Sequence, residues 1–313
     1  MRHLTSRAFA PAVISNFFAI HDEALSLRPP DFSKVGATGG GFTLSKGVCT
    51  EASLFRAPRN SISVSVNGDA KYPARTTRKT VELLLDGADV PPQHIELTQV
   101  VEVPIGAGFG SSSASALSAA MAVASALELE LTKEEVASFA HRADIECHTG
   151  LGTVSSTFDH SGAGIVTKAG GPGVAQVKRL RVPSGLRVVT ATLPLMEGKA
   201  GALSSSAVRS RVNELGERAL REALEDPSFQ NLVAVGRRFS RGLGLETPTA
   251  RKLIDICMRS GAVGASQNMV GNAMHAAVRL DEIESVTRSL ISTSTEARID
   301  VFSIGGKRAR LLS

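Results

Sequence analysis

The residues with the clearest chemical potential form one stretch, PIGAGFGSSSASA, residues 104–116. Pro104 opens it, and Gly106, Gly108 and Gly110 let the backbone turn tightly so that successive N–H groups face one point. Ser111, Ser112 and Ser113 then begin a small, apolar run with the character of a buried helix, whose positive end would point at the same place. Such an arrangement binds phosphate, and a serine hydroxyl, Ser112 foremost, can reach an oxyanion or a Mg²⁺ ion. It is not a Walker A loop, because Ser111 stands where that motif needs lysine after its last glycine. It is not a dinucleotide fingerprint either, since the glycine spacing is wrong and no acidic residue ends a following strand at the required distance.

A second group lies downstream. Glu146 falls three residues after Ala143 and seven after Phe139, on the face of a helix whose apolar stripe comprises Val136, Phe139, Ala140 and Ala143. A carboxylate directed inward needs a cation or hydrogen-bond donors. Mg²⁺, which takes one or two carboxylates together with phosphate oxygens, is the natural partner if the serine loop is near. On this reading His141 and Asp144 are ordinary polar residues on the helix faces. The segment His148 to Ser156 is a glycine turn into a new element, with Thr153 at its end.

The elements that must position these groups are legible in outline. Ser61 to Val66 alternates apolar residues with Ser before Asn67-Gly68, a half-buried strand entering a tight turn. Ile95 to Val103 reads as another strand ending at Pro104. Thr132-Lys133-Glu134-Glu135 has the pattern of a capping box opening the helix that carries Glu146. Gly36 to Gly41 is too glycine-rich for a regular element and is expected to be a loop or a close backbone crossing. Residues 161–173 read as a hairpin or loop, and 186–193 as a strand. Residues 209–225, 229–242 and 249–260 have helical spacing, punctuated by Pro227 and Pro248. Strands first and helices later give an α+β architecture with two lobes, divided near residue 183 into 1–183 and 184–313.

Composition narrows the classes. With 313 residues, 42% hydrophobic and 21% charged, the chain is neither disordered nor fibrous. Twelve Phe, one Tyr and no Trp leave few platforms for stacking nucleobases. The net charge of +5 suits an anionic ligand or a nucleic-acid surface equally. Three cysteines with no CxxC spacing point to neither a disulfide framework nor a zinc site. Residues 8–20 could pass for a secretory apolar region, but Pro11, Ser15 and Asn16 interrupt them, so a buried strand and turn is expected. No run reaches the length of a membrane span, and the protein is expected to be soluble and cytoplasmic.

Residues 104–116 resemble the P-x-x-x-G-[LF]-G-S-S-A motif of the GHMP kinases, in which this loop wraps the phosphates of ATP. AFAPAVISNFFAIHDE near the N-terminus, HRADIECHTGLGTV, and GASQNMVGNAMHAAV at 264–278 together look like the archaeal pantoate kinases within that superfamily. The resemblance spans about Ala8 to Val278. It implies a two-lobed fold with an N-terminal nucleotide-binding lobe and a C-terminal α/β sandwich lobe. It also implies an ATP- and Mg²⁺-dependent kinase that phosphorylates pantoate to 4-phosphopantoate for coenzyme A synthesis. Ser112 and Glu146 would then hold the metal, and Asn16, His21, Asp22, Gln267 and Asn268 would face the substrate. A homodimer without nucleic-acid or membrane partners is implied as well. A kinase of the mevalonate or homoserine class, or a non-catalytic nucleotide- or RNA-binding relative, is the alternative. The glycine turn of pantoate kinases often ends in Asp, where this chain has Thr153. Threonine is no useful base at neutral pH, so Asp159-His160 enters as a replacement on proximity in sequence alone. Phosphoryl transfer is governed by positioning and charge neutralisation, so a base is not essential.

Overall fold

The computed structural model describes residues 4–194, 205–269 and 271–313. Strands β1 (Leu4–His21) and β2 (Gly36–Arg56) form a long antiparallel pair, from Leu4 opposite Leu54 to His21 opposite Gly36. Residues 8–20, expected as a strand and turn, are one continuous strand. Its interruptions become register shifts between Pro11 and Val13 and between Ser15 and Phe17. Proline has no N–H to give the ladder, and a bulge re-aims the residues beside it. Asn16 is thereby fully buried, and the Val13 N–H donates to the carbonyl of Phe109, 3.0 Å away.

Residues 36–41 correct the expectation of an irregular element, since they are regular strand, paired with β1 and with β5 (Ala163–Lys168). Their glycine content reports the other alternative, a close backbone crossing. A Cβ at Gly41 would lie 2.4 Å from the carbonyl oxygen of Ile14, and one at Gly40 would lie 2.5 Å from Leu232.

The first sheet continues through β4 (Gln93–Val101) to β3 (Ser61–Val66), which run parallel and are joined across helix α1 (Arg75–Gly87). Strand β6 (Gln176–Leu180) pairs with β5. The second sheet, in the order β10 (Arg298–Ser303), β7 (Leu186–Thr192), β9 (Ala273–Arg279), β8 (Gly264–Gln267), is antiparallel throughout. The chain thus changes sheet between Leu180 and Leu186. A division at 183 is nevertheless crossed twice: β11 (Arg310–Leu312) returns to pair with β1, and α5 (Ser206–Glu225) and α6 (Phe229–Gly242) pack against β1. One apolar core accordingly runs from Ala8 and Phe42 to Phe239 and Phe302. A smaller one lies between the second sheet and helices α7 (Pro248–Arg259) and α8 (Ile283–Thr293), built on Val189, Leu253, Ile254 and Leu290.

Two helices bring the chemistry to the first sheet. α2 (Ser111–Ala126) is made of Ala, Ser and a few larger apolar residues and is buried on nearly every face, lying against β1, β2 and α3 (Lys133–Glu146). Its small side chains permit that close packing. α3 starts at the expected capping box: Thr132 Oγ1 accepts from the Glu135 N–H at 3.2 Å, and Glu135 Oε2 accepts from the Thr132 N–H at 2.7 Å. Two lobes of mixed helix and sheet result, an α+β fold.

Candidate active site

The glycine loop enters α2 with every glycine in a left-handed conformation, φ being 74° at Gly106, 82° at Gly108 and 61° at Gly110. Ala107 and Phe109 alternate with them and are 1% exposed, so they anchor the loop, while Gly106 is exposed and Gly108 and Gly110 are half-buried. Phe109 stands edge-on to Phe302 of β10, with ring centroids 6.1 Å apart. Gly110 is the N-cap of α2, and its carbonyl accepts from the Ala114 N–H at 3.1 Å. The N–H groups of Ser111, Ser112 and Ser113 therefore belong to the first helical turn, which has no intrahelical acceptors for them. Pro104 is buried at the root of the loop, and Ser112 is half-buried between the buried Ser111 and Ser113. A concave row of donors at a helix N-terminus is the geometry that takes a phosphate chain.

The carboxylate that meets this loop is Asp144, which corrects the expectation for Glu146. The Phe139–Glu146 face of α3 is turned toward α1, where Phe139 lies beside Gly87 and Glu146 pairs with Lys79 at 2.9 Å and with Arg142 at 2.7 Å. Those cations hold the Glu146 carboxyl below its usual range despite partial burial. The face toward α2 carries Ala137, Ala140, His141 and Asp144, at most 2% exposed. Asp144 and His141 are thus not ordinary surface residues. Asp144 Oδ2 accepts a short hydrogen bond from Ser113 Oγ, and Oδ1 accepts from Thr149 Oγ1 at 2.7 Å. Gly150 backs directly onto it, since a Cβ there would lie 2.6 Å from Oδ2.

Burial pushes the Asp144 carboxyl up to about 6, against the two hydroxyl hydrogen bonds that lower it. Among the described residues its polar contacts are hydroxyls and backbone, with no Lys or Arg. A buried carboxylate without a countercharge beside a phosphate-shaped loop is a fitting ligand for a hard divalent cation, with the hydroxyls of Ser112 and Ser113 within the same turn. His141 has a structural part: Nε2 lies 3.0 Å from the carbonyl oxygen of Val35 and Nδ1 lies 3.2 Å from Ser155 Oγ.

Thr153 begins the short helix α4 (Thr153–Thr157). Its methyl carbon faces Gly110, where a Cβ would lie 3.4 Å away, and Gly152 backs onto Ala37, which pairs with Ile20 beside His21. The structure therefore brings Thr153 beside the glycine loop. Asp159 is drawn elsewhere, toward Lys133 and Arg308, and His160 lies against the Ala163 carbonyl, so neither replaces the absent acid.

The substrate candidates divide into two groups. At the end of β1, His21 Nε2 lies 3.1 Å from Thr38 Oγ1, and Asp22 pairs with Arg209 of α5 at 2.6 Å. Deeper in the seam between the sheets, Asn16, Gln267 and Asn268 are at most 1% exposed. Gln267 Nε2 donates to the carbonyls of Met269 (2.9 Å) and Gly271 (3.3 Å), bracing a turn. That turn sits on the glycine loop, because a Cβ at Gly108 would meet the Asn268 carbonyl oxygen at 2.2 Å and one at Gly271 would meet Ala107 at 2.2 Å. Arg209 carried no motif that sequence reasoning could use, and His275 lies inside the 264–278 segment without having been singled out there.

Residues 75–160 match the family described as GHMP kinases N terminal domain. The pantoate kinase of Methanocaldococcus jannaschii is 30% identical over 152 residues, covering 48% of this chain and 54% of that one, so the match spans about half of that relative. The pantoate kinase of Thermococcus kodakarensis is 28% identical over 293 residues and 91% of each chain. A solved structure described as a phosphotransferase related to the CoA biosynthesis pathway superimposes with a TM-score of 0.83 at 26% identity, over 98% of both chains. Among the described residues no helix is long and apolar enough to cross a membrane.

Proposed function

We propose that this chain, whose residues 75–160 match the GHMP kinases N terminal domain, is an ATP-dependent small-molecule kinase whose acceptor is pantoate and whose product is 4-phosphopantoate. The observation that carries this reading is the similarity to the Thermococcus kodakarensis pantoate kinase along nine-tenths of both chains, which takes in both lobes. A match confined to the nucleotide loop would speak only for the cofactor.

On this reading the loop from Pro104 to Ser113 holds the triphosphate through the N–H groups of Gly106, Gly108, Gly110 and the three serines. Asp144, with Ser112 and Ser113, would hold Mg²⁺, which supplies charge neutralisation for the phosphates when bound. Glu146 instead stiffens the contact of α3 with α1 through Lys79. Thr153 offers the acceptor a hydroxyl for orientation and no base, which a loose phosphoryl-transfer transition state tolerates. Arg209, His21 and Thr38 supply a cation and donors suited to a small carboxylate, and Asn16, Gln267 and Asn268 line the seam behind it. The reading carries with it a cytoplasmic homodimer on the archaeal route to coenzyme A.

The test is a panel of acceptors with Mg-ATP: pantoate, mevalonate and homoserine. Pantoate should give the highest kcat/KM by at least about a hundredfold, the discrimination a polar site can supply. Preferential turnover of mevalonate or homoserine would replace the reading, and ATP binding without transfer to any acceptor would make the chain a non-catalytic relative.

A further inference from the structure

His275 lies in the middle of β9 with no exposed surface, in none of the motifs that point to nucleotide or metal. Its Nδ1 is 2.8 Å from Asn268 Oδ1, and its Nε2 is 3.3 Å from Asn16 Nδ2. The ring stands edge-on to Phe42, 5.4 Å between centroids. An amide oxygen only accepts and an amide nitrogen only donates, so the two contacts require one form of the ring: Nδ1 protonated and donating to Asn268, Nε2 bare and accepting from Asn16. Burial lowers the imidazole to about 3, consistent with a ring that stays neutral.

Each asparagine belongs to a different part of the structure. Asn268 belongs to the turn that presses on Gly108 of the glycine loop, and its carbonyl accepts from the Gly271 N–H at 2.8 Å. Asn16 sits at the second bulge of β1, under Gly236 of α6, on the strand that ends at His21. With His275 saturating one end of each amide, the other ends, Asn16 Oδ1 and Asn268 Nδ2, are buried and have no partner among the described residues, and the same holds for Gln267 Oε1 and Ser266 Oγ nearby. Orphaned polar atoms so concentrated are costly, and the imidazole fixes the two amides that carry Asn16 Oδ1 and Asn268 Nδ2.

We propose that His275 is a positioning residue: as the Nδ1–H tautomer it ties the turn that backs the glycine loop to the strand that carries Asn16, keeping the nucleotide and acceptor halves of the candidate site in one register. The acceptor half of this statement rests on the function proposed above, whereas the nucleotide half does not.

Three substitutions separate the two arms. His275→Asn keeps an amide donor near the Nδ1 position, His275→Gln keeps an amide acceptor near the Nε2 position, and His275→Phe keeps the ring and loses both. Mg-ATP affinity by calorimetry, needing no acceptor, should fall about tenfold in H275Q and H275F and stay within about threefold of wild type in H275N, one buried hydrogen bond being lost in each affected case. The KM for the acceptor should show the crossed pattern, about tenfold up in H275N and H275F and nearly unchanged in H275Q. Parallel changes in both quantities across all three variants, or no change in either, would overturn the proposal and leave His275 as packing. If pantoate is not the acceptor, the wild-type panel shows it, and the calorimetric arm still decides for His275. Should the variants not fold, ¹⁵N spectra of the wild-type imidazoles at neutral pH remain decisive: a protonated Nδ1 and a bare Nε2 on His275 are required, and the opposite tautomer or an imidazolium would refute it.

Discussion

Asp144→Asn tests the site most directly, because the structure assigns opposite signs to its effects on stability and on activity. In the unfolded chain the carboxyl titrates at its ordinary value of 3.8, and in the folded protein burial holds the proton on up to about 6. Folding therefore takes up a proton between those values, and the wild-type protein loses stability as pH rises through that window, with the whole penalty present above about pH 6. A gap of about two pH units at 1.36 kcal/mol each gives about 3 kcal/mol. Asparagine matches the shape, can still accept from Ser113 or Thr149 through its oxygen, and cannot ionise. Urea titrations without metal should thus show Asp144→Asn to be more stable than wild type by about 2–3 kcal/mol at pH 8, by about half of that at pH 5, and not at all near pH 3.5. With saturating Mg-ATP the wild type should gain about 3 kcal/mol at a hundredfold excess over Kd, the variant should gain far less, and its kcat should fall by at least about a hundredfold. A variant no more stable than wild type at pH 8, or a gain that does not change with pH, would refute the reasoning.

Glu146→Ala should leave kcat within about threefold and cost about 0.5–1 kcal/mol, since the carboxylate is paired with Lys79 and Arg142 near the surface. A fall by orders of magnitude in the steady-state rate would return Glu146 to the metal. Thr153→Ala should cost about tenfold in kcat or less, the size of one neutral hydrogen bond, where removal of a true base costs roughly 10² to 10⁴. Gly110→Ala should weaken Mg-ATP by at least about tenfold in calorimetry, because φ is 61° there and the added Cβ would lie 2.5 Å from Val13 Cγ1. Unchanged affinity would mean that the loop does not touch nucleotide.

The glycine loop and its helix were readable in the sequence because the demands are local: positive φ needs glycine, and the run of Ala and Ser that follows needs burial. The carboxylate was not, and the reason lies in α3. Its large residue, Phe139, draws attention to one face, but that face meets α1, while the face against α2 is marked by the smallest side chains, Ala137 and Ala140, with His141 and Asp144 in line. Helices made of Ala and Ser select partners by smallness, which a search for bulky apolar stripes overlooks. Residues 36–41 taught the same lesson in a strand, where glycine signified proximity of Ile14 and Phe17 and not irregular backbone. The network of Asn16, Asn268 and His275 joins residues as far as 259 positions apart, and nothing in local spacing announces such a pairing.

The return of β11 to the edge of β1 bears on how the chain is made. Arg7 pairs with Leu312, and the glycine loop leans through Phe109 on Phe302. During synthesis the first lobe emerges early with an open edge on β1 and without the aromatic support beneath its loop. The contacts that finish it are among the most distant in sequence that the chain contains, and such contacts form slowly. A nascent chain halted before residue 300 would expose that edge to other strands, a hazard for aggregation. Nucleotide added during translation should therefore protect only chains that have already reached β10 and β11.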